Sequence, residues 1–204
     1  MNANTATRCI TVKKLLENSY LADSATLPSR RQSTSDMLVK GLPVTLTWLD
    51  AAAVADIDVA DIWGVGVVPF TDNGDVVTVR LQRGIEIPAG GVEPSDADLE
   101  ATARREAWEE ARITLGRLEL AQVARVDRRD IDAPAQYLVF FTGAVRSMPA
   151  FEQCHESFER LVVSCEDFAG KDGFGPYSTA ADRKRMIEDA KAAMRRAGSV
   201  TVAA

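Results

Sequence analysis

The chain has few of the features that mark membrane-inserted or disulfide-bonded proteins. It has no apolar run of about 18 residues, the length that a membrane-spanning helix needs. Residues 1–20 also lack the continuous apolar stretch of a signal peptide. Its three cysteines, Cys9, Cys154 and Cys165, show no CxxC spacing, which is typical of reduced thiols. We therefore expect a cytoplasmic protein that does not insert into a membrane.

Acidic residues outnumber basic ones, and histidine is scarce. The net charge of −6 argues against general nucleic-acid binding, because phosphate backbones are held by clustered Lys and Arg. The single histidine, His155, has no second ligand at a suitable spacing, which argues against a transition-metal site. A small phosphorylated ligand remains compatible with this composition, provided that an arginine or a bound metal supplies a local cation.

The length and the hydrophobic pattern predict one α/β domain. The 204 residues suffice for one substantial core. Residues 1–45 are mixed, with a short helix at 13–21 and a loop or ordered arm at 24–36, and we assign them to an N-terminal extension. Residues 46–204 form the predicted domain. We expect strands at the following segments: IWGVGVVPF, DVVTVRLQ, IEIP, RLELAQVARV, QYLVFFTGAV and ERLVVSC.

The C-terminal segment TAADRKRMIEDAKAAMRRAG predicts an amphipathic helix. Basic residues in its last turn and Gly198 just beyond them are typical of a helix end. Its expected apolar stripe consists of Met186, Ile187, Ala190, Ala193 and Met194.

A second helix, at PSDADLEATARREAWEEARI, carries an unusual concentration of negative charge. Ser95 and Asp98 have capping-box spacing, so we expect the helix to begin near Asp96. At about 100° per residue, one face should pack on the sheet, and it contains Leu99, Ala103, Ala107 and Ala111.

Three glutamates, Glu106, Glu109 and Glu110, share an arc of about 100° at the edge of that face. Neighbouring carboxylates repel, and one at a core edge also loses hydration. Arg105 can offset only part of this charge. A solvated helix face would explain the cluster too, but a hard divalent cation removes the conflict, because Mg²⁺ binds a few carboxylates together with substrate phosphates and water. The cluster therefore predicts a metal site for a phosphorylated ligand.

The segment from Gly91 to Ile113 resembles the signature of the Nudix hydrolases, G-x5-E-x7-R-E-U-x-E-E-x-G-U, where U is a bulky aliphatic residue. The matching positions are Gly91, Arg105, Glu106, Glu109, Glu110 and Ile113. The resemblance covers residues 60–197 and implies a Nudix-like α/β/α sandwich with a mixed sheet. The sequence departs from the motif at Ala97, which replaces the first glutamate between Asp96 and Asp98, and at Arg112, which replaces the last glycine.

The resemblance implies a site for Mg²⁺ or Mn²⁺ on Glu106, Glu109 and Glu110. The metal would bridge a diphosphate and activate a water, and Arg105 would orient the neighbouring glutamates. The catalytic set that we predict is Arg105, Glu106, Glu109 and Glu159. Predicted substrate-binding residues are Gly90, Gly91 and Arg83, because glycine permits close backbone approach and an arginine can contact phosphate.

Several assignments stay open. Glu156 is an alternative to Glu159. Arg80 could contact phosphate as well as Arg83, although ordinary charge at a strand edge would explain both arginines. Phe174 and Tyr177 could stack on a base, although a simple lead-in to the last helix explains them as well. Trp63, Phe70, Phe140 and Phe141 are interpreted as core residues.

The resemblance implies a pyrophosphohydrolase that cleaves a nucleoside diphosphate linked to another moiety. The PAGG sequence is similar to that of nucleotide-sugar pyrophosphatases, although Pro134 lies beyond the position expected for an ADP-ribose hydrolase. The expected partner is a small-molecule diphosphate, and a homodimer is left open. A non-catalytic Nudix-like binding module and an isoprenoid diphosphate isomerase are the alternatives, the second of which His155 alone supports poorly.

Overall fold

The structure is a computed structural model that describes residues 33–39, 41–153 and 155–198. The helix predicted at 13–21 lies outside these ranges, as do Cys9 and Cys154.

The described residues form one mixed sheet of nine strands. The strands are β1 Ser33–Val39, β2 Leu42–Leu49, β3 Ile62–Phe70, β4 Val76–Leu81, β5 Gly84–Glu86, β6 Ala89–Gly90, β7 Thr114–Arg128, β8 Gln136–Ser147 and β9 Glu159–Val163. Their order is β1-β2-β7-β8-β3-β4-β5, with β6 paired to β3 and β9 paired to β4. The β3–β8 pair is parallel, and the other pairs are antiparallel.

Helices cover both faces of this sheet. Helix α1 (Leu99–Ala111) packs into one buried cluster, whereas α2 (Cys165–Gly170) and α3 (Ala180–Arg196) contribute to the other. Two short 3₁₀ helices, Ala51–Asp56 and Val59–Asp61, precede β3. The predicted α/β/α sandwich with a mixed sheet is confirmed. No helix in the described ranges is long and apolar enough to cross a membrane.

The predicted strands and the C-terminal helix are present. Helix α3 begins with a capping box, in which the Thr179 side chain accepts from the Asp182 backbone and the Asp182 side chain accepts from the Thr179 backbone. Its predicted apolar stripe is buried: Met186, Ile187, Ala190, Ala193 and Met194. Gly198 has a positive φ of 65° just after the helix, as expected for a glycine that follows a helix end.

The loop predicted at 24–36 is wrong for its last four residues, since β1 begins at Ser33. Residues 33–36 are polar because β1 is an edge strand, and only Met37 and Val39 of this strand are buried. Strand β2 pairs with β7 and runs across the predicted boundary between residues 45 and 46. The division into an extension and a domain stays a prediction, but the hairpin β1–β2 belongs to the sheet.

Candidate active site

Helix α1 begins at Leu99, later than the start predicted near Asp96. Asp98 caps it by accepting the backbone N–H of Ala101 at 2.7 Å. Ser95 does not act as the cap, because its hydroxyl donates to Glu93 instead. The predicted apolar face of α1 is buried: Leu99, Ala103, Ala107 and Ala111.

Arg105 organises the acidic face of this helix. Its Nη1 donates to Glu106 at 2.7 Å and to Glu109 at 3.1 Å. Its Nη2 donates to the carbonyl oxygen of Gly91 at 2.8 Å. Arg105 therefore links two of the three box glutamates to the glycine loop. It offsets more of their negative charge than the sequence predicted.

Asp96, which directly precedes the position of the missing glutamate, pairs with Arg105. Its two carboxylate oxygens accept from Nε and Nη2 of Arg105, each at 3.0 Å. The hydrogen bonds from Arg105 hold the pKa of Asp96 down at about 2. Ala97 is exposed beside it. Of the two aspartates next to Ala97, Asp96 pairs with Arg105, whereas Asp98 serves as the helix cap.

Glu110 is the most buried of the three glutamates, with 3% of its surface exposed. Its Oε2 accepts the backbone N–H of Ala89 at 2.9 Å. In the part of the chain that the structure describes, no Arg or Lys forms an ion pair with it. Burial, with a further contribution from the charge of Glu106, raises the pKa of Glu110 to about 8. Burial also raises the pKa of Glu106. Such carboxylates are held as anions only at a cost in free energy, which a cation would lower.

The glycine loop fits closely against these acids. A Cβ on Gly90 would collide with the carboxylate of Glu106, so a residue larger than glycine would displace that side chain. Gly91 has open space around it and contributes its carbonyl oxygen to Arg105. Gly90 therefore approaches the box helix closely, whereas the expected approach of the Gly-Gly backbone to a substrate stays a prediction.

Arg112, which replaces the last glycine of the box, adopts the backbone conformation that a glycine there normally provides. Arg112 ends α1 with φ 53° and ψ 45°, the left-handed region in which a side chain is strained. Its guanidinium lies 5.3 Å from the centroid of the exposed Trp108 ring. The side chain of Arg160 donates to the carbonyl oxygen of Ala111 at 3.1 Å and supports this helix end.

A cavity of about 430 Å³ opens beside the box. Its charged lining groups are Arg83, Glu86, Arg105, Glu106, Glu109, Glu110 and Glu156. Its apolar and aromatic lining groups all belong to, or pack against, one buried cluster: Val39, Leu46, Trp63, Leu138, Phe140, Phe168, Phe174, Tyr177 and Met186. The cavity can therefore accept a ligand that has both a charged and an apolar portion.

The three predicted substrate-binding residues, Arg83, Gly90 and Gly91, all line the cavity. So does Glu86, an acid that the sequence did not indicate. Arg83 pairs with Glu86 at 2.9 Å and with Glu156 at 3.2 Å, and it lies 5.2 Å from the centroid of the Tyr177 ring. Burial raises the pKa of Glu86. Glu86 lies between the buried Ile85 and Ile87 in an extended segment, so its side chain points to the opposite face. This alternation is the sequence signal that could have identified Glu86.

The structure does not bring Glu159 or Arg80 to the cavity wall. Their side chains form an exposed ion pair of 2.9 Å across strands β4 and β9. Glu156 and His155 do line the cavity. The placement therefore favours Glu156 over Glu159 as the further acid, and the catalytic role predicted for Glu159 has no geometric support.

The aromatic segment before α3 is held in place. Ile85 donates to Gly173 at 3.0 Å and accepts from Gly175 at 2.9 Å, which forms a parallel bridge between Ile85 and Phe174. Phe174 and Tyr177 both line the cavity, so they are more than a lead-in to the helix. Trp63 is only partly buried and lines the cavity as well. Phe70, Phe140 and Phe141 are buried as predicted, and Phe140 also lines the cavity.

The three box glutamates at the cavity wall, Glu106, Glu109 and Glu110, offer carboxylate oxygens, which are ligands that Mg²⁺ and Mn²⁺ prefer. Among the described residues, no group of three acidic, histidine or cysteine side chains is already arranged around a common point. Two of the box glutamates, Glu106 and Glu109, are instead paired with Arg105. The residues fit a metal that also takes ligands from water and a bound phosphate.

Comparisons with known proteins agree with the box and the fold. The family model described as NUDIX domain matches residues 61–189. No match was found among curated proteins.

Solved structures share the fold at low sequence identity. A mutant of the Bacillus subtilis pyrophosphohydrolase BsRppH has a TM-score of 0.58 and 15% identity, covering 81% of this chain and 98% of that chain. The NUDIX domain of Shewanella oneidensis NrtR, complexed with ADP ribose, has a TM-score of 0.52 and 17% identity, covering 70% of this chain and 96% of that chain. A NUDIX hydrolase from Nitrosomonas europaea has a TM-score of 0.50 and 21% identity, covering 63% of this chain and 87% of that chain.

The family match spans well over half of the chain and contains the whole motif from Gly91 to Ile113. The chain belongs to the NUDIX family, the Nudix hydrolases that its box resembles.

Proposed function

We propose that the protein is a metal-dependent pyrophosphohydrolase that cleaves a nucleoside diphosphate linked to another moiety. The observation that carries the proposal is the position of Glu110, a buried carboxylate with no ion pair in the described structure, beside Glu106 and Glu109 at the wall of a cavity.

In this proposal Glu106, Glu109 and Glu110 hold Mg²⁺ or Mn²⁺. The bound metal would neutralise charge on the diphosphate and lower the pKa of a water that attacks phosphorus. Arg105 keeps Glu106 and Glu109 in place and holds the Gly91 carbonyl oxygen. Its charge also limits the repulsion between these two glutamates.

Arg83 is the proposed phosphate contact. It lies in the cavity and already binds two carboxylates, Glu86 and Glu156, so its guanidinium is oriented before a substrate arrives. Glu156 is the proposed further acid, and its negative charge lies close enough to contribute to the raised pKa of Glu110.

The two-part cavity supports a substrate that joins a diphosphate to an apolar-faced ring. ADP ribose, the ligand of the Shewanella oneidensis NrtR domain, belongs to this chemical class. The pairing of Arg105 with both glutamates favours a second candidate, a module that binds such a compound without cleaving it, because these carboxylates are engaged within the protein.

A panel of diphosphate compounds, incubated with Mg²⁺ or Mn²⁺ and with excess chelator, separates the two. We expect cleavage of the diphosphate bond with either metal and none with the chelator. Metal-dependent binding of a compound without turnover would support the binding module instead. Full turnover in excess chelator would contradict the metal site.

A further inference from the structure

The hairpin β1–β2 lies outside the segment that matches the NUDIX family model, yet it reaches the cavity. The match begins at residue 61, whereas the hairpin spans residues 33–49. Val39 at the end of β1 and Leu46 in β2 both line the cavity. They are 8% and 1% exposed. The wall that they form is thus a feature of this chain beyond the matched domain.

A buried carboxylate fixes this wall against helix α3. Asp182 accepts from the indole Nε1 of Trp48 at 2.6 Å and from the hydroxyl of Ser35 at 2.7 Å. The same carboxylate accepts the backbone N–H of Thr179 at 2.8 Å, which caps α3. One residue of each hairpin strand is therefore bound to the start of the helix that supplies Met186 to the cavity.

The part of the cavity next to the hairpin offers apolar surface and few free donors. Its rings include Phe140, Phe168 and Phe174. The one cation there, among the described lining residues, is Arg183, which donates to the carbonyl oxygens of Phe168 at 2.7 Å and Ser178 at 2.9 Å. Its guanidinium lies 4.4 Å from the centroid of the Phe174 ring. A sugar placed here would leave hydroxyl groups unsatisfied, whereas a planar ring would bury its faces.

We propose that the hairpin β1–β2 determines specificity, with Val39 and Leu46 forming the wall against which the nucleobase of the substrate packs. This inference rests on the proposed function, because it assigns the apolar part of the cavity to the base of a nucleoside diphosphate compound. The acidic part next to α1 then receives the diphosphate.

The test compares two valines of the same hairpin. Val39 and Val44 are both buried, but only Val39 lines the cavity. We would make Val39→Ala, Val39→Phe and the control Val44→Ala. The probes are adenosine 5′-monophosphate and ribose 5-phosphate, which differ in the base, and calorimetry gives their dissociation constants.

Val39→Phe fills the space proposed for the base, so adenosine 5′-monophosphate should bind at least about tenfold more weakly, with ribose 5-phosphate unchanged. Val39→Ala should weaken the binding of adenosine 5′-monophosphate by about threefold to tenfold, and Val44→Ala should weaken it by less than about twofold. Should Val39→Phe fail to fold, Val39→Leu replaces it with the same expected direction.

Equal changes for both probes, no change for either, or no binding of adenosine 5′-monophosphate to the wild type would overturn the inference. Failure of the proposed hydrolysis gives a different result. In that case no diphosphate compound is cleaved, while the binding of adenosine 5′-monophosphate still responds to Val39 and not to Val44.

Discussion

The carboxylate of Glu110 accepts the backbone N–H of Ala89 at 2.9 Å, and this bond joins the box helix to the strand that enters the glycine loop. It is the one short polar contact described for this carboxylate, which is otherwise buried. The bond fixes Glu110 at the cavity wall and leaves its charge without an ion pair. The proposed metal site uses this combination, because a bound cation would favour the ionised form of a carboxyl that is held in position and has no ion pair.

The pair formed by Asp96 and Arg105 should make stability depend on pH. The pKa of Asp96 is depressed to about 2 in the folded protein, from an ordinary value near 3.8. The stabilisation is therefore complete above about pH 4 and is lost as the pH falls from about 4 towards 2. We expect Asp96→Asn to lower the free energy of unfolding near pH 7 by about 1–2 kcal/mol, after allowance for solvent screening.

Urea unfolding at neutral and acidic pH checks this expectation, and the difference between wild type and variant should shrink in acid. Asp127→Asn is the control, since Asp127 pairs with Arg125 at the surface and should change stability by less than about 0.5 kcal/mol. An Asp96→Asn effect that is small near neutral pH, or that grows in acid, would contradict the role assigned to this pair.

The left-handed residue at the end of α1 gives a second test. Arg112→Gly and Arg112→Ala both remove the contact with Trp108, so their comparison isolates the backbone. The glycine variant should be more stable than the alanine variant by about 1 kcal/mol, because alanine is strained at φ 53°. Thermal or denaturant unfolding measures the difference. Equal stabilities would show that the helix end relaxes away from the left-handed conformation.

Glu156 and Glu159 can be separated by identical substitutions. Glu156 lines the cavity, whereas Glu159 pairs with Arg80 outside it. We expect Glu156→Gln to lower kcat by about tenfold to a hundredfold, and Glu159→Gln to change it by less than about twofold. Steady-state kinetics on a cleaved diphosphate compound decides the matter. The reverse order would restore Glu159 as the acid that assists the reaction.

The local pattern predicted most of the fold because hydrophobic periodicity was strong. Strand β3 is a continuous apolar run, and the stripes of α1 and α3 repeat at helical spacing. Strand β1 was missed because an edge strand buries only part of one face, which leaves Ser33 to Asp36 polar. The buried alternation of Val44, Leu46 and Trp48 in β2 was a usable signal that went unused.

The sequence predicted the positions of those site residues that belong to the motif, but not of the others. The box placed Glu106, Glu109 and Glu110 on one helix face, which the structure confirms. The choice between Asp96 and Asp98 depended on where the helix begins, and sequence patterns fix helix ends poorly. Glu86 and Glu156 meet at Arg83 from segments about 70 residues apart, a contact that only the folded chain reveals.

The central claim, that Glu110 is a metal ligand, is tested most directly by Glu110→Gln with Glu100→Gln as its control. Glutamine keeps the acceptor for the Ala89 N–H and removes the charge, while Glu100 lies on the same helix, pairs with Arg104 and does not line the cavity. With saturating Mg²⁺, kcat for a cleaved diphosphate compound should fall at least about a hundredfold for Glu110→Gln and less than about twofold for Glu100→Gln. Above about pH 8, where the carboxyl of Glu110 is ionised, the melting temperature of metal-free Glu110→Gln should not fall below that of the wild type, because a buried charge is removed. Near-wild-type turnover by a folded Glu110→Gln variant would contradict the account.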